Sequence, residues 1–189
     1  VQLFETRFRP DPIAQRDKKE NAIKKAIEAD LEHVTKLDED KIIRQFVHTI
    51  MNTLRTNYYQ QSADDKLKNY IAIKLDSKAI PGMPKPYPLY EIFVYSPAFE
   101  GVHLRCSKVA RGGLRWSDRH EDFRTEVLGL MKAQQVKNAV IVPSGAKGGF
   151  VVKRIFLDGS REAIQAEGIA CYKQFIRALL DITDNYKES

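Results

Sequence analysis

Three basic residues stand where a charge or an amine could do chemistry. Arg111 is followed by Gly112 and Gly113. Lys137 closes a helical stretch that runs into a short apolar segment. Lys147 lies inside Pro143-Ser144-Gly145-Ala146-Lys147-Gly148-Gly149. Glycines around Lys147 let the backbone turn tightly and approach a ligand closely. The segment is expected to be a loop after a buried strand, and ligands of open α/β sheets gather just beyond the carboxyl ends of strands. An amine held in such a partly dry place can act as a base, a nucleophile or a carbonyl-polarising group. Lys147 is therefore the leading catalytic candidate, with a lysine on an exposed turn as the alternative. Arg111, beside two glycines with open backbone N–H groups, suits a carboxylate, which a guanidinium grips through two parallel bonds. Lys137 fits an anion equally well as it fits the C-terminal end of a helix dipole.

Other chemistries lack their residues. Gly148 follows Lys147 where a phosphate-binding P-loop requires Ser or Thr, and no G-x-G-x-x-G dinucleotide turn occurs. Cys106 and Cys171 are far apart and without ligand spacing, so neither a zinc site nor a disulfide framework is expected. That usage fits a reducing, cytoplasmic setting. His103 and His120 have no partners at triad or ligand spacing and are read as structural. No run is apolar and long enough for a membrane-spanning helix. Val1-Gln2-Leu3-Phe4-Glu5 has neither a signal-peptide pattern nor an initiator Met, which suggests a piece of a longer polypeptide.

Charge narrows the partner. Of a net +6 over 189 residues, residues 101–154 carry +7 and the remainder −1. A local excess of this kind points to an anionic partner: phosphate, nucleic acid or a carboxylate substrate. Trp116 and Phe123 among the arginines would suit base stacking, although Phe123 also fits a helix stripe. Local pairing of Arg115, Arg119 and Arg124 with nearby acids is the structural alternative.

The elements that must hold these residues follow from periodicity. Residues 15–33 and 38–58 read as helices, the second with a wide apolar stripe (Ile43, Phe46, Val47, Ile50, Leu54) expected to be well buried. Residues 1–9 read as a strand or strap. Alternation marks a strand at 71–75, and 90–95 and 102–106 also read as strands, with a hairpin turn at Glu100-Gly101. Four prolines within residues 81–88 make a stiff loop. Residues 111–118 read as irregular, 119–137 as a helix with Phe123, Val127, Leu130 and Gln134 inward, and 139–142 as a buried strand. Ser160 is a good N-cap for a helix to about 183 with an Ile164, Cys171, Phe175, Leu179, Ile182 stripe. The fold expected is α/β, a three-layer sandwich with a mixed sheet, plus N-terminal helices. Residues 1–60 are expected to form a helical segment packing on a domain of residues 61–189.

The segments VARGGLRWSDR, EDFRTEVLGLMKAQQVKNAVIVP and PSGAKGG, with EIFVYSPAFEGVHLR and LRTNYYQ upstream, resemble large-subunit NAD-specific glutamate dehydrogenases over roughly residues 40–185. The resemblance implies the glutamate-binding catalytic domain of such an enzyme. It implies Lys147 as the catalytic lysine, assisting carbinolamine and imine chemistry at the α-carbon. It implies Lys137 on the α-carboxylate, with Lys132 as a rival for that role, and Arg111 with Gly112 and Gly113 on the side-chain carboxylate. Glutamate and 2-oxoglutarate each carry two carboxylates, so two cationic anchors and one active amine match the need. The resemblance further implies a catalytic Asp and an NAD-binding Rossmann domain beyond Ser189, ammonium as co-substrate, a homo-oligomeric parent, and no activity in this chain alone. The competing reading is a basic anion- or nucleic-acid-binding module over residues 101–154.

Overall fold

Alternating side chains build the sheet, and glycines complete it. The computed structural model describes residues 1–10, 12–60, 67–108, 110–137, 145–153 and 159–183, with 13, 14, 111 and 135–137 described by backbone alone. It has helices α1 (Gln2–Phe8), α2 (Ile13–Leu31), α3 (Leu37–Met51), α4 (Phe123–Lys137) and α5 (Arg161–Asp181). Its strands are β1 (Thr53–Thr56), β2 (Ile71–Leu75), β3 (Tyr90–Tyr95), β4 (Phe99–Arg105), β5 (Arg111–Trp116) and β6 (Gly145–Val152). Two compact units result, residues 1–53 and residues 54–189.

In the second unit the six strands run in the order β1-β2-β3-β4-β6-β5. Strands β2, β3, β4 and β6 pair antiparallel, and β5 pairs parallel to β6. The sheet is mixed, as expected. One face packs on α5 through Ala72, Val94, Phe99, Phe150, Val152, Cys171, Phe175 and Ile182. The other packs on α4 through Val102, Leu104, Phe123, Val127, Leu128, Met131 and Val151. Helix, sheet and helix give the three layers. Burial of these side chains drives the assembly, at about 1.5–3 kcal/mol for each large apolar group.

Several elements differ from expectation for identifiable reasons. Gly145–Gly149 is strand, not loop, and residues 111–116 are strand, not irregular. At Gly112, Gly148 and Gly149 neighbours occupy the space a side chain would need. A Cβ on Gly148 would overlap Leu114, and one on Gly149 would come within 2.5 Å of Val127. The expected strand at 139–142, with Pro143 and Ser144, lies outside the described residues. The β3–β4 turn falls at residues 96–98, where the Ser96 N–H donates to the Phe99 carbonyl. Gly101 sits within β4, where the Phe175 ring would lie 2.7 Å from a Cβ. On α4 the inward residue is Met131 rather than Leu130. Ser160 caps α5 as expected, its Oγ accepting from the Ala163 N–H at 3.2 Å.

The first unit is helical from its second residue. Residues 2–8 form a helix, not a strand, with Phe4 and Phe8 rings 4.9 Å apart at the i, i+4 spacing. Arg7 donates to the Glu20 carboxylate and to the Met51 carbonyl. Helix α3 ends at Met51 instead of near residue 58. There the Asn52 and Thr53 side chains donate back to carbonyls of the last turn, and residues 53–56 adopt strand geometry. The α3 stripe expected to be buried has no buried residue, and Phe46 is 66% exposed. Ile43, Phe46, Val47 and Ile50 instead line a groove of about 400 Å³ with Leu3, Ile23 and Ile27.

Candidate active site

Strand β6 alternates between the two layers. Phe150 and Val152 join the α5 core, while Val151 joins the α4 core. Lys147 is even-spaced from Val151, so it rises on the α4 face. Register then defines a row across that face: Leu75, Glu91, Leu104, Lys147 and Gly113. Lys147 is thus flanked by fully buried Leu104 on one side and by Gly113 on the other. Among the described residues nothing lies within 4 Å of where a Gly113 Cβ would be. The half-buried lysine therefore stands beside open room, with an apolar wall behind it.

The other sequence-identified positions gather at the same end. Arg111 opens β5 opposite Gly145, and Gly112 lies opposite Ala146. A Cβ on Gly112 would overlap the Ala146 carbonyl, so only glycine permits this approach. Helix α4 crosses the face with Val127 over Gly149 and Gln134 over Gly145. Its last residue, Lys137, comes one turn beyond Gln134. Arg111 thus starts β5 two residues before the Gly113 that pairs with Lys147, and Lys137 ends the helix that crosses this end of the sheet. Lys147 is the third residue of β6 rather than a loop residue beyond a strand's carboxyl end, which corrects the expected placement. Lys132 is exposed, off the inward stripe of α4.

Two features of this end of the sheet were not singled out in the sequence for chemistry. Gln134 Oε1 is buried without a hydrogen-bond partner among the described residues, 3.2 Å from the Gly145 Cβ position. Glu91, buried in the Lys147 row, receives two bonds of 2.6 Å each from Arg124 of α4. The first could be found only from α4 facing Gly145. The second required the register between strands distant in sequence.

Pairing absorbs much of the basic excess. Arg115 meets Glu126 at 2.9 Å, Arg119 pairs with Asp122, Arg124 with Glu91, and Lys153 meets Glu100 at 2.6 Å. The Arg105 guanidinium donates to the carbonyls of Ser107 and Lys108. Among the described residues no carboxylate lies within ion-pair distance of Lys147. Trp116 stacks on Phe150 and leans over Gly168 of α5, and Phe123 is in the core. His103, on the opposite sheet face, has its pKa lowered to about 4 by burial and then by Arg105. It is neutral at pH 7 and adds no cation.

A hollow of about 270 Å³ between Tyr58, Tyr70 and Tyr95 lies toward the other end of the strands. Its polar groups serve each other: Lys68 and Asn57 both hold Asp181, at 2.7 and 3.0 Å. Burial, followed by Asp181, pushes the Tyr70 hydroxyl up to about 12. The described residues offer no cluster suited to a metal ion, and no described helix is long and apolar enough to cross a membrane.

An α/β sheet with a lysine beside a glycine-floored space, and two further cationic positions at the ends of the neighbouring strand and helix, suits a small substrate with more than one negative charge. Known proteins give that class a family. Residues 26–189 match the family described as bacterial NAD-glutamate dehydrogenase, catalytic domain. NAD-specific glutamate dehydrogenase of Pseudomonas aeruginosa is 60% identical over 191 residues, covering 100% of this chain and 12% of that protein. Its namesake from Halomonas elongata is 60% identical over 185 residues, covering 98% and 11%. That of Mycobacterium tuberculosis is 53% identical over 192 residues, covering 98% and 12%. The chain belongs to the bacterial NAD-glutamate dehydrogenase catalytic-domain family, and it spans about an eighth of the length of these curated relatives.

Proposed function

We propose that this chain supplies the glutamate side of an enzyme that oxidatively deaminates L-glutamate to 2-oxoglutarate and ammonia, with NAD as oxidant. The observation that carries the reading is Lys147 opposite Gly113, with open space over the glycine among the described residues. Family membership supports it, because the relatives are named NAD-specific glutamate dehydrogenases. In this reading Arg111, with Gly112 and Gly113, takes the side-chain carboxylate and Lys137 takes the α-carboxylate. Two anchors fix the α-carbon and remove the entropic cost of orienting it. Lys147 then faces that carbon and polarises the oxygen or nitrogen bonded to it, moving a proton as carbinolamine and imine interconvert. The described residues supply no glycine-rich dinucleotide turn, so NAD is assigned to the remainder of the full-length protein, and this chain alone is expected to be inactive. The wide spacing of Cys106 and Cys171 in the sequence, without a ligand pattern, favours a cytoplasmic setting.

The test is NADH oxidation driven by 2-oxoglutarate and ammonium in the full-length protein, wild type beside Lys147→Ala. Turnover is expected to fall by about 10²–10⁴-fold, the usual contribution of a positioned proton-transfer group. Near-normal turnover in the variant would remove Lys147 from the chemistry. An inactive wild type would sink the activity itself.

A further inference from the structure

A buried carboxylate lies on the same sheet face as Lys147. Glu91 has a side-chain exposure of 4%, and its strand is separated from that of Lys147 by β4 alone. Two strand spacings put the two Cα positions about 10 Å apart. Left as a bare anion there, Glu91 would oppose any dicarboxylate held beside Lys147 and draw that cation inward. Arg124 prevents this from the helix side. Its Nε donates to Oε1 and its Nη2 to Oε2, each at 2.6 Å, so the guanidinium covers both oxygens.

We propose that Arg124 is a positioning residue for the reaction, acting through Glu91: it cancels the buried carboxylate so that the field at Lys147 stays positive for an anionic substrate. The inference rests on the proposed glutamate dehydrogenase activity. Its signature is a difference in sign between the two partners. Removing the cation leaves an anion that repels the substrate, while removing the anion leaves a cation that attracts it. A clamp that mattered only for packing would give both substitutions the same sign. Charges about 10 Å apart at an effective dielectric of about 20 interact by the equivalent of roughly tenfold in a binding constant.

The experiment measures KM for 2-oxoglutarate in the full-length enzyme at saturating ammonium and NADH. Arg124→Gln is expected to raise KM about five- to tenfold. Glu91→Gln is expected to lower it or leave it within about twofold, and the double variant to return close to wild type. Arg124→Lys keeps the charge, folds with less disturbance, and is expected to stay within about twofold. A several-fold rise in Glu91→Gln, or a rise in Arg124→Lys equal to that in Arg124→Gln, overturns the charge-cancelling role even where Arg124→Gln fails to fold. A wild type without turnover overturns the parent reading and this inference with it. A turning-over wild type whose two single variants shift KM alike overturns this inference alone.

Discussion

Two adjacent glycines in β5 do different work, and substitution separates them. Gly112 lies against the Ala146 carbonyl so closely that a Cβ would overlap it, whereas Gly113 faces open space among the described residues. The neighbour of Gly112 is backbone within a paired strand and cannot rotate away as a side chain can. Gly112→Ala is therefore expected to cost about 3 kcal/mol or more, at the upper end of overpacking penalties. Urea unfolding of the 189-residue chain reads this directly, and an unchanged midpoint would contradict the close approach. Gly113→Ala should leave stability within about 0.5 kcal/mol, as at an unencumbered surface position. Its methyl group would instead intrude on the space beside Lys147 and raise KM for 2-oxoglutarate in the full-length protein. A Gly113→Ala enzyme with wild-type KM would mean that the substrate does not use that space.

At the scale of the element, termini with their own chemistry are the most secure. Ser160 donates no structure of its own, yet its Oγ satisfies the Ala163 N–H at the start of α5. Ser160→Ala should destabilise the chain by about 1 kcal/mol, visible as a shifted unfolding midpoint with an unchanged slope. This cap was legible from Ser160 alone, as β2 and β3 were from alternation, because each signal is local. Strands β5 and β6 were not legible, since Gly112, Gly148 and Gly149 are crowded by the Ala146 backbone, Leu114 and Val127, which no local pattern reveals. The end of α3 was missed for a related reason: its stripe continues to Leu54, while Asn52 and Thr53 turn back to cap the helix. For the candidate site, residue types pointed to Arg111, Lys137 and Lys147, but the placement of Gly113 beside Lys147 depends on β5 pairing parallel to β6. The Glu91–Arg124 pair joins residues 33 positions apart and could be found only in three dimensions.

Across the whole molecule, the two sheet faces place their ionisable groups in different settings. Lys147, Glu91 and Arg124 lie on the α4 face, whereas His103 faces the α5 side between Ile92 and Gly148 of the neighbouring strands. Burial there, with Arg105 adding repulsion, lowers the imidazole pKa from 6.5 to about 4. The unfolded chain therefore binds a proton at His103 below pH 6.5 that the folded chain refuses until about pH 4. Stability from this residue is complete above pH 6.5 and is lost progressively as pH falls to about 4. The full swing is at most about 3 kcal/mol, from roughly 1.4 kcal/mol per pH unit. His103→Leu removes the proton site while keeping an apolar side chain against Ile92 and Leu114. Unfolding free energies of wild type and variant, measured from pH 7.5 to pH 4, cancel the acid losses common to both. Their difference should move in favour of the variant by about 2–3 kcal/mol as pH falls. A difference that stays flat over that interval would show His103 to be hydrated in the folded chain, and the α5 face to be open where packing makes it closed.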